Sequence, residues 1–320
     1  MTNDYSMLPV VLFVYNRPEH TLKTLNNLSK NNNIDNVKLF IFSDAPKTNK
    51  DKDAVEQVRH VINNFNWPGS SKVIICRKEN MGLGKSVIDG VTRVVNEYGK
   101  VVVLEDDILT STSFIDYMRK ILDVYENENK VFSVSGYIIP TLSKKDCEDL
   151  YFVPRISSWG WATWKDRWDL VDWDITGYQD FIKNKHEVSA FSQAGSDMVD
   201  MLINQVEGEA ESWAIRFDYN RYRHNGLTIY PGSSLVSNIG SDGSGAHRDD
   251  TSKFDVDYLQ KGFDNRDFSY KDPILDLTAT LEFKKFYHYS WVSKGIILIR
   301  RLGLYNVIVP RLKKLRGILK

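Results

Sequence analysis

Apolar runs and amphipathic stretches alternate along the first 140 residues. LPVVLFVY (8–15) is a continuous apolar, β-branched run, as expected of a strand covered on both faces. HTLKTLNNLSK (20–30) then sets Leu22, Leu25 and Leu28 at helical spacing. The alternation continues with a strand at VKLFIFS (37–43), a helix at DAVEQVRHVINNF (53–65) and a strand at KVIICR (72–77). A helix at LGKSVIDGVTRVVNEY (83–98) and a strand at KVVVLE (100–105) follow. Repeated βα units predict an α/β fold built on a mostly parallel, doubly wound sheet. Beyond residue 140 the regularity fades. FSVSGYII (132–139) reads as a further strand, and the Gly- and Ser-rich LTIYPGSSLVSNIGSDGSGAH reads as a mobile loop.

Ligands of such sheets bind beyond the carboxyl ends of the strands. The polar residues predicted there are Asn16 and Arg17, Asp44, Asn80, and the run Glu105, Asp106, Asp107. Three acids at the end of a buried strand are costly to desolvate unless something compensates them. Mg²⁺ or Mn²⁺ held by one or two carboxylates and a substrate phosphate would do so. GLGKS (82–86) has the ending of a phosphate-binding loop, but Glu79 stands where that motif needs its first glycine. A tight turn and helix start is the better reading, with Asn80 or Lys85 near a ligand. In SSWGWATWKDRWDLVDW (157–173), Trp161, Trp164 and Trp168 fit one packed helix face. Trp159 and Trp161 flank Gly160, where a loop could instead present an aromatic face to a sugar ring.

The composition is that of an ordinary globular protein, with two cysteines and no CxxC spacing, which fits a reducing compartment. MTNDYSMLPVV shows no secretory-signal pattern, and no apolar run reaches spanning length, so a cytoplasmic protein is expected. Formal net charge is zero, but after Glu282 there are ten Lys or Arg and no acid, so the body before it carries ten more acids than bases. In the tail, apolar residues interleave with bases and Pro310 divides the segment. That pattern suits helices lying on the inner face of a membrane, or equally a packed C-terminal helix or a dimer contact. No nucleic-acid partner is expected.

VVLFVYNRPEHTLKTLNNL, FIFSDAP, ENMGLGKS, VVVLEDDILTSTSFIDYM, FSVSGY, SSWGWATWKDRW, ESWAIRF and SLVSNIGSDGSGAH together resemble glycosyltransferases of the GT-A fold. The likeness is to the N-acetylglucosaminyltransferase I type and bacterial surface-glycan enzymes, over roughly residues 8–250. It implies a catalytic domain over 1–282, with a nucleotide-sugar half to about 140 and an acceptor half beyond, then the basic helical segment 283–320. It implies a UDP-sugar donor, a glycan or lipid-linked glycan acceptor, and Mn²⁺ or Mg²⁺. Arg17 and Asp44 would hold the uridine, with Tyr15, Asn80 and Lys85 also at the donor. Glu105 and Asp106 would contact ribose or sugar or orient the site, and Asp107 would ligate the metal. His247, ending the glycine-rich loop, would touch metal or phosphates, unless it is a plain surface histidine. Trp159 and Trp161 would meet the acceptor. Glu211 stands where the family usually shows a catalytic aspartate; the extra methylene is a departure, and Glu209 and Asp218 are the alternatives.

These parts imply an inverting transfer of a hexosyl or N-acetylhexosaminyl group in surface polysaccharide assembly. A sugar-phosphate nucleotidyltransferase would share sheet and metal but wants a Gly-rich loop after the first strand, where YNRPEH stands. A metal-dependent phosphoesterase would gather further Asp or His ligands. A non-catalytic carbohydrate-binding protein would use the tryptophans but leave EDD unexplained.

Overall fold

The computed structural model describes residues 7–142, 150–242, 252–257 and 268–288. The first half follows the predicted alternation: β1 (Leu8–Val14), α1 (Pro18–Leu28), β2 (Val37–Ser43), α2 (Lys52–Asn64), β3 (Ser71–Cys76), α3 (Gly82–Tyr98) and β4 (Lys100–Glu105). Next come β5 (Ile108–Thr110), α4 (Phe114–Val124), β6 (Val131–Ser135), β7 (Leu150–Val153), β8 (Trp161–Trp164) and α5 (Lys165–Trp168). The helices α6 (Tyr178–Lys183), α7 (Lys185–Phe191), α8 (Asp197–Val206) and α9 (Trp213–Arg223) precede β9 (Leu227–Pro231), β10 (Val236–Asn238) and α10 (Leu277–Phe286). Eight strands form one sheet in the order β3-β2-β1-β4-β8-β6-β9-β7. β1 to β4 are parallel neighbours, β8 runs antiparallel between β4 and β6, β9 is parallel to β6, and β7 is an antiparallel edge. Most strands therefore point one way, and helices flank the sheet.

Strand periodicity divides the core into two layers. Leu8, Val10, Leu12 and Val14 face Leu25, Leu28, Val58 and Ile62 of α1 and α2. Val11 and Phe13 face Val87, Val91 and Val94 of α3 on the other side. At Gly90 a Cβ would stand 2.8 Å from the Phe13 ring, so this glycine sets how closely α3 packs on β1. α1 begins at Pro18, whose fixed φ suits a first helical position.

Three expectations change, the first being that the stretch read as a loop carries β9 (Leu227–Pro231) and β10 (Val236–Asn238). The strand read over 132–139 stops at Ser135, whose hydroxyl accepts from Tyr137 N (3.1 Å) and donates to Tyr137 O (2.8 Å), in place of ladder bonds. Trp161 and Trp164 lie on strand β8, not on a helix, and so enter opposite core layers; only Trp168 is helical. Trp161 stacks on Trp213 (4.7 Å between centroids) and Trp168 (6.0 Å), and is 1% exposed. It is core, and offers no face to an acceptor sugar. Residues 289–320, most of the expected basic segment, lie outside the described residues.

Trp161 thus anchors the layer between β8, α5 and α9. Trp161→Ala is expected to destabilise the fold by about 3–5 kcal/mol in denaturant titration. Trp161→Phe should cost markedly less, because the indole Nε1 is buried with no partner and its removal leaves nothing unpaired.

Candidate active site

The order β3-β2-β1-β4 places the topological switch between β1 and β4, where crevices form at strand carboxyl ends. A cavity of about 310 Å³ opens there. β1 and its loop supply Phe13, Val14, Tyr15, Asn16 and Arg17; β2 and its loop supply Phe42, Asp44 and Lys47. Asn80, Gly82, Leu83 and Ser86 come from the start of α3, and Glu105 and Asp106 from the end of β4. Of the donor-site residues expected from sequence, Tyr15, Arg17, Asp44, Asn80, Glu105 and Asp106 meet in this one crevice. Lys85 does not line it and lies exposed on α3.

Arg17 pairs with two of the three acids. Its Nη2 pairs with Asp106 Oδ1 and lies 2.9 Å from Asp107 Oδ2. Burial works against the guanidinium charge, but Asp106 and Asp107 hold Arg17 above the ordinary arginine range. Burial, reinforced by Asp107 and Asp106, pushes the Glu105 carboxyl up to about 8, against the pull of Arg17. Burial likewise pushes Asp106 up to about 6, with Arg17 opposing and Asp107 adding to it. The Thr24 hydroxyl of α1 donates to the Asp106 carbonyl at 2.7 Å and fixes the turn.

Asp107 is held differently. Its carbonyl accepts from Ile239 N (2.9 Å), continuing the antiparallel β5–β10 pair. A Cβ on Gly240 would stand 2.2 Å from Asp107 Oδ2, so the chain after β10 passes directly over this carboxylate. Asp107 Oδ1 is buried and has no hydrogen-bond partner among the described residues. One buried, unsatisfied carboxylate oxygen beside an excess of acids suits a hard divalent cation. Among the described residues no three His, Cys, Asp or Glu side chains form a ready ligand cluster, but a site completed by substrate phosphates needs only one or two. His247 lies outside the described residues.

Asp44 accepts from Ala45 N (2.9 Å), Met81 N (3.0 Å), Gly82 N (3.0 Å) and Asn80 Nδ2 (3.2 Å). Its carboxylate therefore satisfies the first amides of α3, whose helix end favours a negative charge. The Tyr15 hydroxyl accepts from Lys47 N (2.9 Å), tying the β1 and β2 loops together.

Glu211 is exposed and immediately precedes Ser212, the N-cap of α9. Its side chain lies on the first turn of α3: a Cβ at Gly84 would be 3.1 Å from Glu211 Cγ, and one at Gly82 3.5 Å from Oε2. Of the alternatives, Asp218 is buried, paired with Arg221 Nε (2.5 Å) and accepting from Ile156 N (3.3 Å). Glu209 is exposed in the turn after α8. Trp159 is half-buried, edge-on to Tyr137 (4.7 Å) and Phe254 (5.5 Å). Lys47, Ser86, Leu83 and Gly240 were missed from sequence. Gly240 and Lys47 sit beside segments already flagged, but only the fold shows what they touch.

No family model matches this chain, and no curated protein matches it. Among solved structures it is similar to the mannosyltransferase PcManGT from Pyrobaculum calidifontis, in complex with GDP-Man and Mn²⁺, at 14% identity and a TM-score of 0.34. That match covers 50% of this chain and 44% of the other. It is also similar to S. aureus TarS 1–349, at 10% identity and a TM-score of 0.42, over 74% of this chain and 61% of that one. TarS 1–349 in complex with UDP-GlcNAc matches at 11% identity and a TM-score of 0.40, over 72% and 57%. The chain spans roughly half to three-fifths of the length of these solved chains.

Gly240→Ala is expected to push the Asp107 carboxylate off Arg17 and lower stability by about 1–3 kcal/mol, as overpacking does. Ser237→Ala, on β10 where the side chain is half-exposed, should stay within about 0.5 kcal/mol. Thermal denaturation of both variants compares them directly, and equal melting temperatures would refute the contact.

Proposed function

We propose that this protein is an inverting, metal-dependent GT-A glycosyltransferase that moves a hexosyl or N-acetylhexosaminyl group from a UDP-sugar to a hydroxyl of a glycan acceptor. The supporting observation is an acid cluster at a strand-end crevice lined by Glu105 and Asp106, with the buried Asp107 oxygen next to it unpartnered among the described residues and Glu211 against the first turn of α3. Phe13, Val14, Phe42 and Leu83 give the crevice an apolar lining that suits a flat base. Asn80 spends its Nδ2 on Asp44 and Ala45, leaving its amide oxygen as an acceptor for a base N–H. Tyr15 and Lys47 close the same end.

Asp107, with Asp106, would hold a divalent cation, which would supply charge stabilisation for the departing diphosphate. Arg17 keeps the two carboxylates in place. Glu211 acts as general base. Its carboxylate takes the proton of the acceptor hydroxyl as that oxygen bonds to the anomeric carbon and the bond to the diphosphate breaks. One displacement inverts the centre. Trp159 is the aromatic residue that remains for the acceptor side, since Trp161 is buried.

Two variants test the two roles. Glu211→Gln should lower kcat by about 10²- to 10⁴-fold while the protein still binds UDP-sugar. Asp107→Ala should instead abolish the Mn²⁺ dependence of turnover. Unchanged Mn²⁺-dependent turnover of UDP-sugar in Asp107→Ala would falsify the metal assignment.

The acceptor side extends the proposal to bacterial surface polysaccharide built on a lipid carrier at the inner face of the membrane. No helix among the described residues is long and apolar enough to cross a membrane. Ile274, Leu277 and Leu281 nevertheless expose 68%, 68% and 56% of their surface on and beside α10, which ends in Lys284 and Lys285. The chain then runs into the acid-free basic tail. An apolar row leading into bases supports peripheral contact with an anionic membrane, where each base contributes roughly 1 kcal/mol, weakened by salt. Full-length protein should sediment with phosphatidylglycerol vesicles at low salt and be released at high salt. Leu277→Glu with Leu281→Glu should weaken that binding; if it does not, or if the row instead buries in a homodimer seen by light scattering, the membrane contact is wrong.

A further inference from the structure

The first turn of α3 contains two glycines, Gly82 and Gly84, a composition that weakens a helix relative to alanine. The phosphate-loop reading does not explain them. Gly82 has φ +74°, a conformation that L side chains rarely adopt, so the backbone itself requires glycine there. Gly84 has no such need. It is an ordinary helical residue, buried between exposed Leu83 and exposed Lys85. What occupies the space of its missing side chain is Glu211. A Cβ at Gly84 would lie 3.1 Å from Glu211 Cγ, 3.3 Å from Oε1 and 3.4 Å from Cδ, closer than such contacts ordinarily come.

We propose that Gly84 is a positioning residue for the general base: its bare Cα is the seat that sets where the Glu211 carboxylate stands. The inference rests on Glu211 being that base, and deepens the same site. The seat is rigid because its turn is tied to the donor crevice. Asp44 accepts from Met81 N and Gly82 N at 3.0 Å each, and Asn80 bonds both Asp44 and Ala45. One turn therefore lines the crevice through Asn80, Gly82 and Leu83 and carries the Glu211 side chain at Gly84. Glutamate is a methylene longer than the aspartate of the resembling family. Folding that extra length over a glycine keeps the carboxylate against the turn.

A methyl group at Gly84 would push an exposed, movable side chain aside and would not break a packed core. Activity and stability should therefore move in opposite directions. Gly84→Ala is expected to lower kcat by about 10²-fold, the loss that a displacement of about 1 Å can produce. KM for the UDP-sugar should stay within about twofold, and the melting temperature should equal or exceed that of the parent protein. In a Glu211→Gln background the same Gly84→Ala change should have no further effect on kcat, since it acts through the base.

The experiment measures kcat, KM and melting temperature for the parent, both single variants and the double variant, with Mn²⁺ and a fixed acceptor. A falling melting temperature in Gly84→Ala, or a kcat loss that persists in full in the Glu211→Gln background, overturns the inference. So does an unimpaired Gly84→Ala beside an inactive Glu211→Gln, which leaves the base assignment standing. Full turnover by Glu211→Gln overturns the base assignment first, and the seat with it.

Discussion

The crevice depends on how one arginine shares itself among three acids. An ion removed from water costs several kcal/mol even after relaxation, so Glu105, Asp106 and Asp107 could not end a buried strand unaided. Arg17 stands three residues beyond β1, and β1 pairs with β4 in a register that sets Phe13 opposite Glu105. That register delivers the guanidinium to Asp106 and Asp107. A single positive charge cannot offset three negative ones. Burial first, and then the charges of Asp107 and Asp106, hold the Glu105 carboxyl up to about 8, and one Asp107 oxygen has no partner among the described residues.

Much of this was legible in the sequence. The parallel strands are unbroken β-branched runs, and a period-2 backbone with both faces covered has no other way to use them. The acids, Arg17, Asp44 and Asn80 could be placed at strand ends because parallel topology forces every loop that matters onto one edge. What could not be read was anything set by a neighbour distant in sequence. Trp161, Trp164 and Trp168 match a helix as well as they match a strand followed by a turn, and only pairing with β4 decides between the two. Lys47 lines the crevice and donates its backbone N–H to the Tyr15 hydroxyl, a bond that no side-chain pattern reveals.

The buried tryptophans still matter to the site, indirectly. Trp213, the first residue of α9, stacks on Trp161, and Phe217 one turn later packs on Trp168. That packing fixes the start of α9, and Ser212 caps it by accepting from Ile215 N at 3.3 Å. Glu211 is the residue just outside the cap. An exposed glutamate thus inherits a defined position from a core it does not enter, which is how a rigid scaffold places a chemical group carried on a loop.

Asp44 and Glu211 show how one helix start can serve two ends. A carboxylate has about four lone-pair sites, and Asp44 already accepts from three backbone amides and the Asn80 side chain. An aspartate so engaged cannot also receive an N–H from a base unless the α3 turn loosens. A bond from the donor therefore competes with the bonds that hold Asn80, Met81 and Gly82 in place. If the base binds through Asn80, the turn stays closed and Glu211 keeps its seat. If it binds through Asp44, the turn must yield and the seat must move. Any donor contact through Asp44 would then act on three hydrogen bonds, from Asn80 Nδ2, Met81 N and Gly82 N, at the head of one helix.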